Sequence, residues 1–135
     1  MKQEHWVSGR GCVYNINYHK VWSTKYRRKV LDGVRDRLIE LHREIAEEKG
    51  VILQGQEVMS DHVHLIITAH PKYSPAQIVK IFKGITAKTL FDENPQLRGQ
   101  MHGHLWDPSY YCGTMSDVTK VVIERYVEMQ KTKGL

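Results

Sequence analysis

Two short strand-like segments, at residues 51–59 and 62–69, constrain the fold more than any other feature of the sequence. Each has the length of a β-strand, and only the polar pair Ser60–Asp61 separates them. Strands joined by so short a connection pair antiparallel, because a parallel pair needs a crossover of a dozen residues or more. The sequence therefore predicts a tight hairpin within an antiparallel sheet.

Helical periodicity flanks this hairpin on both sides. From residue 30 to about 49, apolar residues recur at helical spacing, and Gly50 is a natural stop. After the hairpin, Ser74 can cap a second helix, Pro75 suits its first turn and Gln77 completes a capping box. The buried face of this helix is predicted to contain Ile78, Ile81, Phe82 and Ile85. A third helix is predicted from Ser116 to about residue 133.

The remaining segments complete a recognisable order of elements. Residues 11–22 and 105–112 are predicted strands, the second interrupted at Pro108, and residues 92–103 are a predicted loop. The first six elements match an α+β, ferredoxin-like (RRM-like) antiparallel sheet with helices on one face, and a C-terminal helix follows. A chain of 135 residues suits one domain, residues 1–135. This fold hosts many functions, so function must be argued from particular residues.

Charge and composition restrict the partners. The formal charge is +5, and four basic residues lie within residues 25–29. Between residues 58 and 91 the only acid is Asp61, beside four lysines, a pattern that tolerates phosphates but also suits an ordinary solvated surface. No apolar run is long enough to cross a membrane, and residues 1–11 lack a secretory signal. Cys12 and Cys112 are expected to be reduced thiols, and the protein to be cytoplasmic.

The sequence His62-Val63-His64 is the sharpest local feature. Alternate side chains of a strand share a face, so both imidazoles can reach one metal ion. The alternative interpretation is that they are two polar residues on a solvated sheet face. Ile66 excludes a third histidine in register, and with it a nucleotide-binding histidine triad.

Tyr126 and Gln130 form a second pair, one turn apart on the C-terminal helix. A phenol can act as a nucleophile and an amide oxygen can bind a metal. Alternatively, Tyr126 continues an apolar stripe and belongs to the core. Two further features are weaker. His102 and His104 are interpreted as surface or DNA-contacting residues, with a competing metal site as the alternative, and His19 as structural or substrate-facing.

Taken together, these residues resemble a known family. The TnpA-type single-tyrosine transposases of the smallest bacterial and archaeal insertion sequences carry a His-hydrophobic-His (HUH) motif and a C-terminal Tyr-x-x-x-Gln. The resemblance covers residues 9–133, in order and without a large gap. Its blocks are YHKVW at 18–22, KYRRKVL at 25–31, DHVHL at 61–65, KG at 83–84 with Lys88, LWDPSYY at 105–111, and Tyr126 with Gln130.

The resemblance implies an enzyme, a transposase that cleaves and rejoins single-stranded DNA at insertion-sequence ends. His62, His64 and Gln130 would hold one divalent metal, Mg²⁺ or Mn²⁺, and Tyr126 would form a 5′-phosphotyrosine link. The DNA would carry subterminal hairpins, and a homodimer would bring the Tyr126 helix to its partner's site in trans. Neither a nucleotide cofactor nor a membrane is expected. The expected phosphate contacts are Lys25, Arg27, Arg28, Lys83 and Lys88.

Three other functions use parts of the same pattern. A domesticated nickase that processes chromosomal hairpins would keep the chemistry. A non-catalytic module that binds single-stranded nucleic acid would stack bases on residues such as Tyr14 and Tyr18. A small metallohydrolase would use His62 and His64 to cut DNA without a covalent link.

Overall fold

The structure is a computed structural model that describes residues 7–9, 12–14 and 16–115. The predicted C-terminal helix, with Tyr126 and Gln130, lies outside the described residues. The strands are β1 (Val7–Gly9), β2 (Cys12–Tyr14), β3 (Asn17–Ser23), β4 (Ile52–Val58), β5 (His62–Thr68) and β6 (Tyr111–Met115). The α-helices are α1 (Arg35–Lys49), α2 (Pro75–Glu93) and α3 (Pro95–Gln100), and 3₁₀ turns occupy Lys25–Arg27 and Asp32–Val34.

A four-stranded antiparallel sheet in the order β4-β5-β3-β6 is the centre of the fold. The predicted α+β class and antiparallel sheet are confirmed, and so is the hairpin of β4 and β5. The order β3-α1-β4-β5-α2-β6 is that of a ferredoxin-like unit, with α3 added before the last strand. The strands β1 and β2 pair with each other in a separate two-stranded sheet.

The two faces of the central sheet have different neighbours. Trp22, Val63, Leu65 and Ile67 belong to the hydrophobic core, together with buried residues of α1 and α2. Because side chains alternate along a strand, His62, His64, Ile66 and His19 lie on the opposite face. Both histidines of the HUH motif therefore point away from α1 and α2.

The helix signals in the sequence were informative. Gly50 ends α1 with a left-handed φ of 70°, a conformation that glycine adopts without a steric penalty. At the start of α2, the side chain of Ser74 accepts a hydrogen bond from Gln77 N, and the Gln77 side chain accepts one from Ser74 N. The predicted capping box is confirmed. The first helix begins at Arg35 rather than residue 30, because a 3₁₀ turn precedes it.

Three predicted segments were wrong in their bounds. The strand predicted at 11–22 is divided into β2 and β3. The loop predicted at 92–103 contains the end of α2 and all of α3, where Pro95 occupies the first turn and Leu97 packs into the core. The strand predicted at 105–112 is mostly irregular, and β6 begins only at Tyr111. Its apolar residues Leu105 and Trp106 fill the core instead of forming a regular strand.

Among the helices that the structure describes, none is long and apolar enough to span a membrane. Cys112 is a free thiol.

His42 on α1 gives the fold a pH-dependent stability. Its ring is fully buried, and Nδ1 lies 2.8 Å from the amide oxygen of Gln56. Burial lowers the pKa of His42 to about 4, although the hydrogen bond with Gln56 opposes the shift. In the unfolded chain, His42 therefore binds a proton below about pH 6.5. In the folded chain, His42 binds this proton only below about pH 4.

We expect the free energy of unfolding to fall as the pH drops through this window, with a contribution from His42 on the order of 3 kcal/mol. His42→Leu should remove that contribution. Urea unfolding of both proteins at about pH 7 and about pH 4.5 measures it as the difference between the two pH-induced losses. Equal losses in the two proteins would contradict the assignment.

Candidate active site

Two histidine rings of β5 form the centre of the candidate site. The ring centroids of His62 and His64 are 5.0 Å apart, with an angle of 75° between the ring planes. The two residues are 4% and 0% exposed. This burial argues against the interpretation of the motif as two polar residues on a solvated sheet face, because neither ring is open to solvent.

The carboxylate of Asp61 orients the ring of His62. Its Oδ1 lies 2.7 Å from His62 Nδ1, and its Oδ2 accepts a hydrogen bond from Arg27 Nε at 3.1 Å. Partial burial acts to raise the pKa of the Asp61 carboxyl, but the hydrogen bonds from His62 and Arg27 outweigh it and keep that pKa below its ordinary value. An ionised carboxylate can only accept, so Nδ1 of His62 donates this hydrogen bond, and in the neutral imidazole the lone pair is on Nε2.

That Nε2 atom of His62 is buried, and no hydrogen-bond partner for it is found among the described residues. A buried nitrogen lone pair held in place by an outer carboxylate is the arrangement that metal-binding histidines share. His62 therefore fits the role of a metal ligand.

The second histidine also has an ordered neighbour. His64 Nδ1 lies 3.1 Å from Nε2 of His19 on β3, and His19 is 1% exposed. Burial, with a smaller contribution from His64, lowers the pKa of His19 to about 4, so His19 is neutral at neutral pH. The interpretation of His19 as structural or substrate-facing left out this contact.

A cavity of about 180 Å³ opens beside His62. Arg27, Tyr110 and Tyr111 line it with His62. A larger groove of about 420 Å³ runs between α2 and residues 103–110, and Tyr110 lines both spaces. Tyr110 and Tyr111 are 43% and 54% exposed. His62 is thus bordered by a cation and two accessible aromatic rings.

Two of the five predicted phosphate contacts lie at these spaces. Arg27 lines the cavity beside His62, and its side chain is 52% exposed. Lys83 lines the groove, but its ammonium donates to the carbonyl oxygens of Asp107 at 2.6 Å and Ser109 at 3.3 Å. Burial lowers the pKa of Lys83. The ammonium of Lys83 thus also holds the segment that leads to Tyr110.

The other three line neither space. Arg28 donates to the carbonyl oxygen of Gln100 at 2.9 Å, and Lys88 forms an exposed ion pair with Asp92 at 2.8 Å. The ammonium of Lys25 lies 5.3 Å from the ring centroid of Tyr26.

The described residues do not by themselves form a metal site. Among them, no three histidine, cysteine, aspartate or glutamate side chains are grouped so that they could hold a metal ion. His102 and His104 are both exposed, and His104 lines the groove. His62 and His64 supply two imidazoles, and the third predicted ligand, Gln130, lies outside the described residues.

Sequence interpretation gave no role to Asp61, Tyr110 or Tyr111. Asp61 directly precedes the HUH motif, and the tyrosines end the LWDPSYY block, so adjacency to a motif was the only signal available. Their placement around His62 depends on the pairing of strands and on the path of residues 105–110.

Comparison with known proteins identifies the chain. The family model described as "Transposase IS200 like" matches residues 12–130. The chain belongs to the IS200-like transposase family. The ISDra2 transposase TnpA of Deinococcus radiodurans is 42% identical over 127 residues, covering 93% of this chain and 91% of that protein. The transposase for insertion sequence element IS200 of Salmonella typhimurium is 28% identical, covering 87% and 78%.

Solved structures agree. A crystal structure of a Deinococcus radiodurans transposase superposes with a TM-score of 0.74 at 42% identity, covering 92% of this IS200-like transposase and 97% of that chain. A REP-associated tyrosine transposase bound to a REP hairpin has a TM-score of 0.59 at 14% identity, covering 88% and 68%, which shows a shared fold. As a transposase of the IS200 family, the protein is an enzyme that acts on DNA.

Proposed function

We propose that this IS200-like transposase cleaves and rejoins single-stranded DNA at insertion-sequence ends through a covalent bond between DNA and Tyr126. His62, His64 and Gln130 would hold one divalent metal ion that assists the reaction at the scissile phosphate. The observation that carries the proposal is the buried HUH pair, with the Nε2 lone pair of His62 fixed by the hydrogen bond from Nδ1 to Asp61. Family membership supports the same chemistry.

The reaction exchanges one phosphodiester for another. The phenolic oxygen of Tyr126 forms a bond to phosphorus while the bond from phosphorus to the 3′ oxygen breaks. The phenol loses its proton and the 3′ oxygen gains one, leaving a 5′-phosphotyrosine and a 3′-hydroxyl. A 3′-hydroxyl then reverses the exchange and reseals the strand. Because the covalent link conserves the bond, no nucleotide cofactor is needed.

Mg²⁺ or Mn²⁺ would orient the phosphate and neutralise charge as it develops. The donor set consists of two imidazoles and one amide, all without charge, whereas Mg²⁺ prefers oxygen ligands. The protein alone should therefore bind Mg²⁺ weakly, and a phosphate oxygen of bound DNA should tighten binding. Calorimetric titration of Mg²⁺ with and without single-stranded DNA measures this; equally tight binding in both would refute it.

The DNA strand passes the HUH pair over Arg27 and Tyr110. The carboxylate of Asp61 accepts a hydrogen bond from Nε of Arg27. The Nη groups of Arg27 form no hydrogen bond with the described residues, so these groups can contact a phosphate. Tyr110 lines both the cavity beside His62 and the groove along α2. An exposed aromatic ring between two open spaces suits stacking of a base next to the scissile phosphate.

Arg27→Gln should weaken binding of single-stranded DNA and reduce the log–log salt slope by roughly 0.7, the loss of one phosphate contact. Lys88→Gln is the matched control, because it removes the same charge from a residue that lines neither space. Fluorescence anisotropy over a range of salt concentrations measures both slopes. Equal changes in the two variants would indicate diffuse attraction by the basic surface instead of a contact at Arg27.

We also propose that the substrate carries hairpins near its ends and that a homodimer brings Tyr126 to the partner's HUH pair. The subunit arrangement can be tested by mixing two inactive variants, Tyr126→Phe and His62→Ala. A tyrosine acting in trans restores one complete site in each mixed dimer, so activity should return on mixing. No recovery, with subunit exchange verified, would show that the tyrosine acts in cis.

A further inference from the structure

His19 and His64 meet through the register of the sheet. The strands β3 and β5 pair antiparallel, with Val21 opposite His64 and His19 opposite Ile66. His19 is therefore the diagonal neighbour of His64 on the same face, close enough for a long side chain to reach. The contact is built into two central strands, so backbone pairing fixes the relative position of the rings.

The geometry of the pair is that of a hydrogen bond within one plane. The ring planes differ by 3° and the centroids are 5.4 Å apart, whereas His64 Nδ1 and His19 Nε2 are 3.1 Å apart. Parallel rings stacked face to face cannot bring two nitrogens so close while their centroids stay so distant. The rings therefore approach edge to edge, and one nitrogen donates a hydrogen bond to the other.

Resting on the function proposed above, we propose that His19 is a positioning residue that accepts a hydrogen bond from His64 Nδ1 and thereby directs His64 Nε2 to the metal. A histidine that binds through Nε2 must carry its proton on Nδ1, and that proton needs an acceptor in a buried site. His19 Nε2 is at the required place. Its own proton is then on Nδ1.

The two ligands thus have different outer partners. Asp61 accepts from His62 with a carboxylate, whereas His19 accepts from His64 with an imidazole. An imidazole fixes the tautomer and orientation of its neighbour without adding negative charge beside the DNA phosphate. The ring of Tyr111 packs against His19, with the two ring centroids 5.7 Å apart and an interplanar angle of 60°.

Nitrogen-15 NMR of the metal-free protein tests the tautomers directly. We expect the Nδ1-protonated form for both His64 and His19 in the wild type. In His19→Leu, which offers no acceptor, we expect His64 to shift towards the Nε2-protonated form, and in His19→Gln, whose amide oxygen can accept, to keep the Nδ1 proton. An Nε2-protonated His64 in the wild type would overturn the proposal, and that result does not depend on whether a variant folds.

Metal affinity provides the second measurement. Mn²⁺ titration followed by electron paramagnetic resonance, in the presence of single-stranded DNA, should show affinity lowered about 10–100-fold in His19→Leu and largely restored in His19→Gln. Thermal unfolding without metal verifies that both variants are folded. Equal affinity in wild type and His19→Leu would overturn the role of His19, whereas no Mn²⁺ binding by the wild type would overturn the proposed metal function itself.

Discussion

Tyr126→Phe is expected to abolish covalent attachment to DNA and to lower strand cleavage by about a thousandfold or more, because phenylalanine has no oxygen to attack phosphorus. DNA binding should change little, since the variant removes a single hydroxyl. Denaturing gels of single-stranded oligonucleotides incubated with protein and Mg²⁺ measure cleavage and attachment together. Filter binding under the same conditions measures affinity.

The controls for this prediction are Tyr110→Phe and Tyr111→Phe. Among the described residues, these are the two tyrosines that line the cavity beside His62. Each of these variants should keep its covalent adduct, because stacking and packing depend on the ring and not on the hydroxyl. An adduct that persists in Tyr126→Phe and disappears in one of the controls would show that the nucleophile is Tyr110 or Tyr111 instead of Tyr126.

His62→Ala is expected to have a comparable effect, a loss of cleavage of about a thousandfold, because the metal would lose a ligand fixed inside the site. Asp61→Asn should act more weakly, by about 10–100-fold, because it changes the hydrogen bond that orients His62 and leaves the ligand in place. The difference between the two losses distinguishes a metal ligand, His62, from the residue that orients it, Asp61. Single-turnover cleavage with Mg²⁺ and with Mn²⁺ measures both.

The matched control is His102→Asn. His102 is exposed and has a φ of 52°, a conformation that asparagine tolerates, so the exchange removes an imidazole without straining the backbone. Cleavage should remain at the wild-type rate. Losses of equal size in Asp61→Asn and His62→Ala would mean that the carboxylate itself binds the metal, and a large loss in His102→Asn would revive the loop histidines as a competing site.

The parts of the fold that sequence predicted best are those with local physical causes. Ser74, Pro75 and Gln77 specify a helix start through their own hydrogen bonds, and Gly50 specifies a helix end through its own φ. Alternation along a single strand was enough to place His62 and His64 on one face. In each case the determining contacts lie within a few residues.

Features set by tertiary contact were not predictable in this way. Leu105 and Trp106 are residue types that favour strands, but they pack into the hydrophobic core without regular strand pairing. Leu97 stabilises α3 by burial, which outweighs the loop signals of Asn94 and the nearby glycines. The contact between His19 and His64 depends on the register of β3 with β5, and one residue of slip would place His19 on the opposite face.

Covalent attachment of the chain to DNA through Tyr126 can be located by mass spectrometry of the protein–DNA adduct. Single-stranded oligonucleotides containing the flanks of the gene are incubated with the protein and Mg²⁺ or Mn²⁺, and the adduct is digested with nuclease and trypsin. Cleavage after Arg125 and Lys131 gives a peptide of residues 126–131 with one tyrosine. We expect this peptide to carry a nucleotide through a phosphate on Tyr126. Cleaved DNA with the nucleotide on another peptide, or with no protein adduct at all, would contradict it.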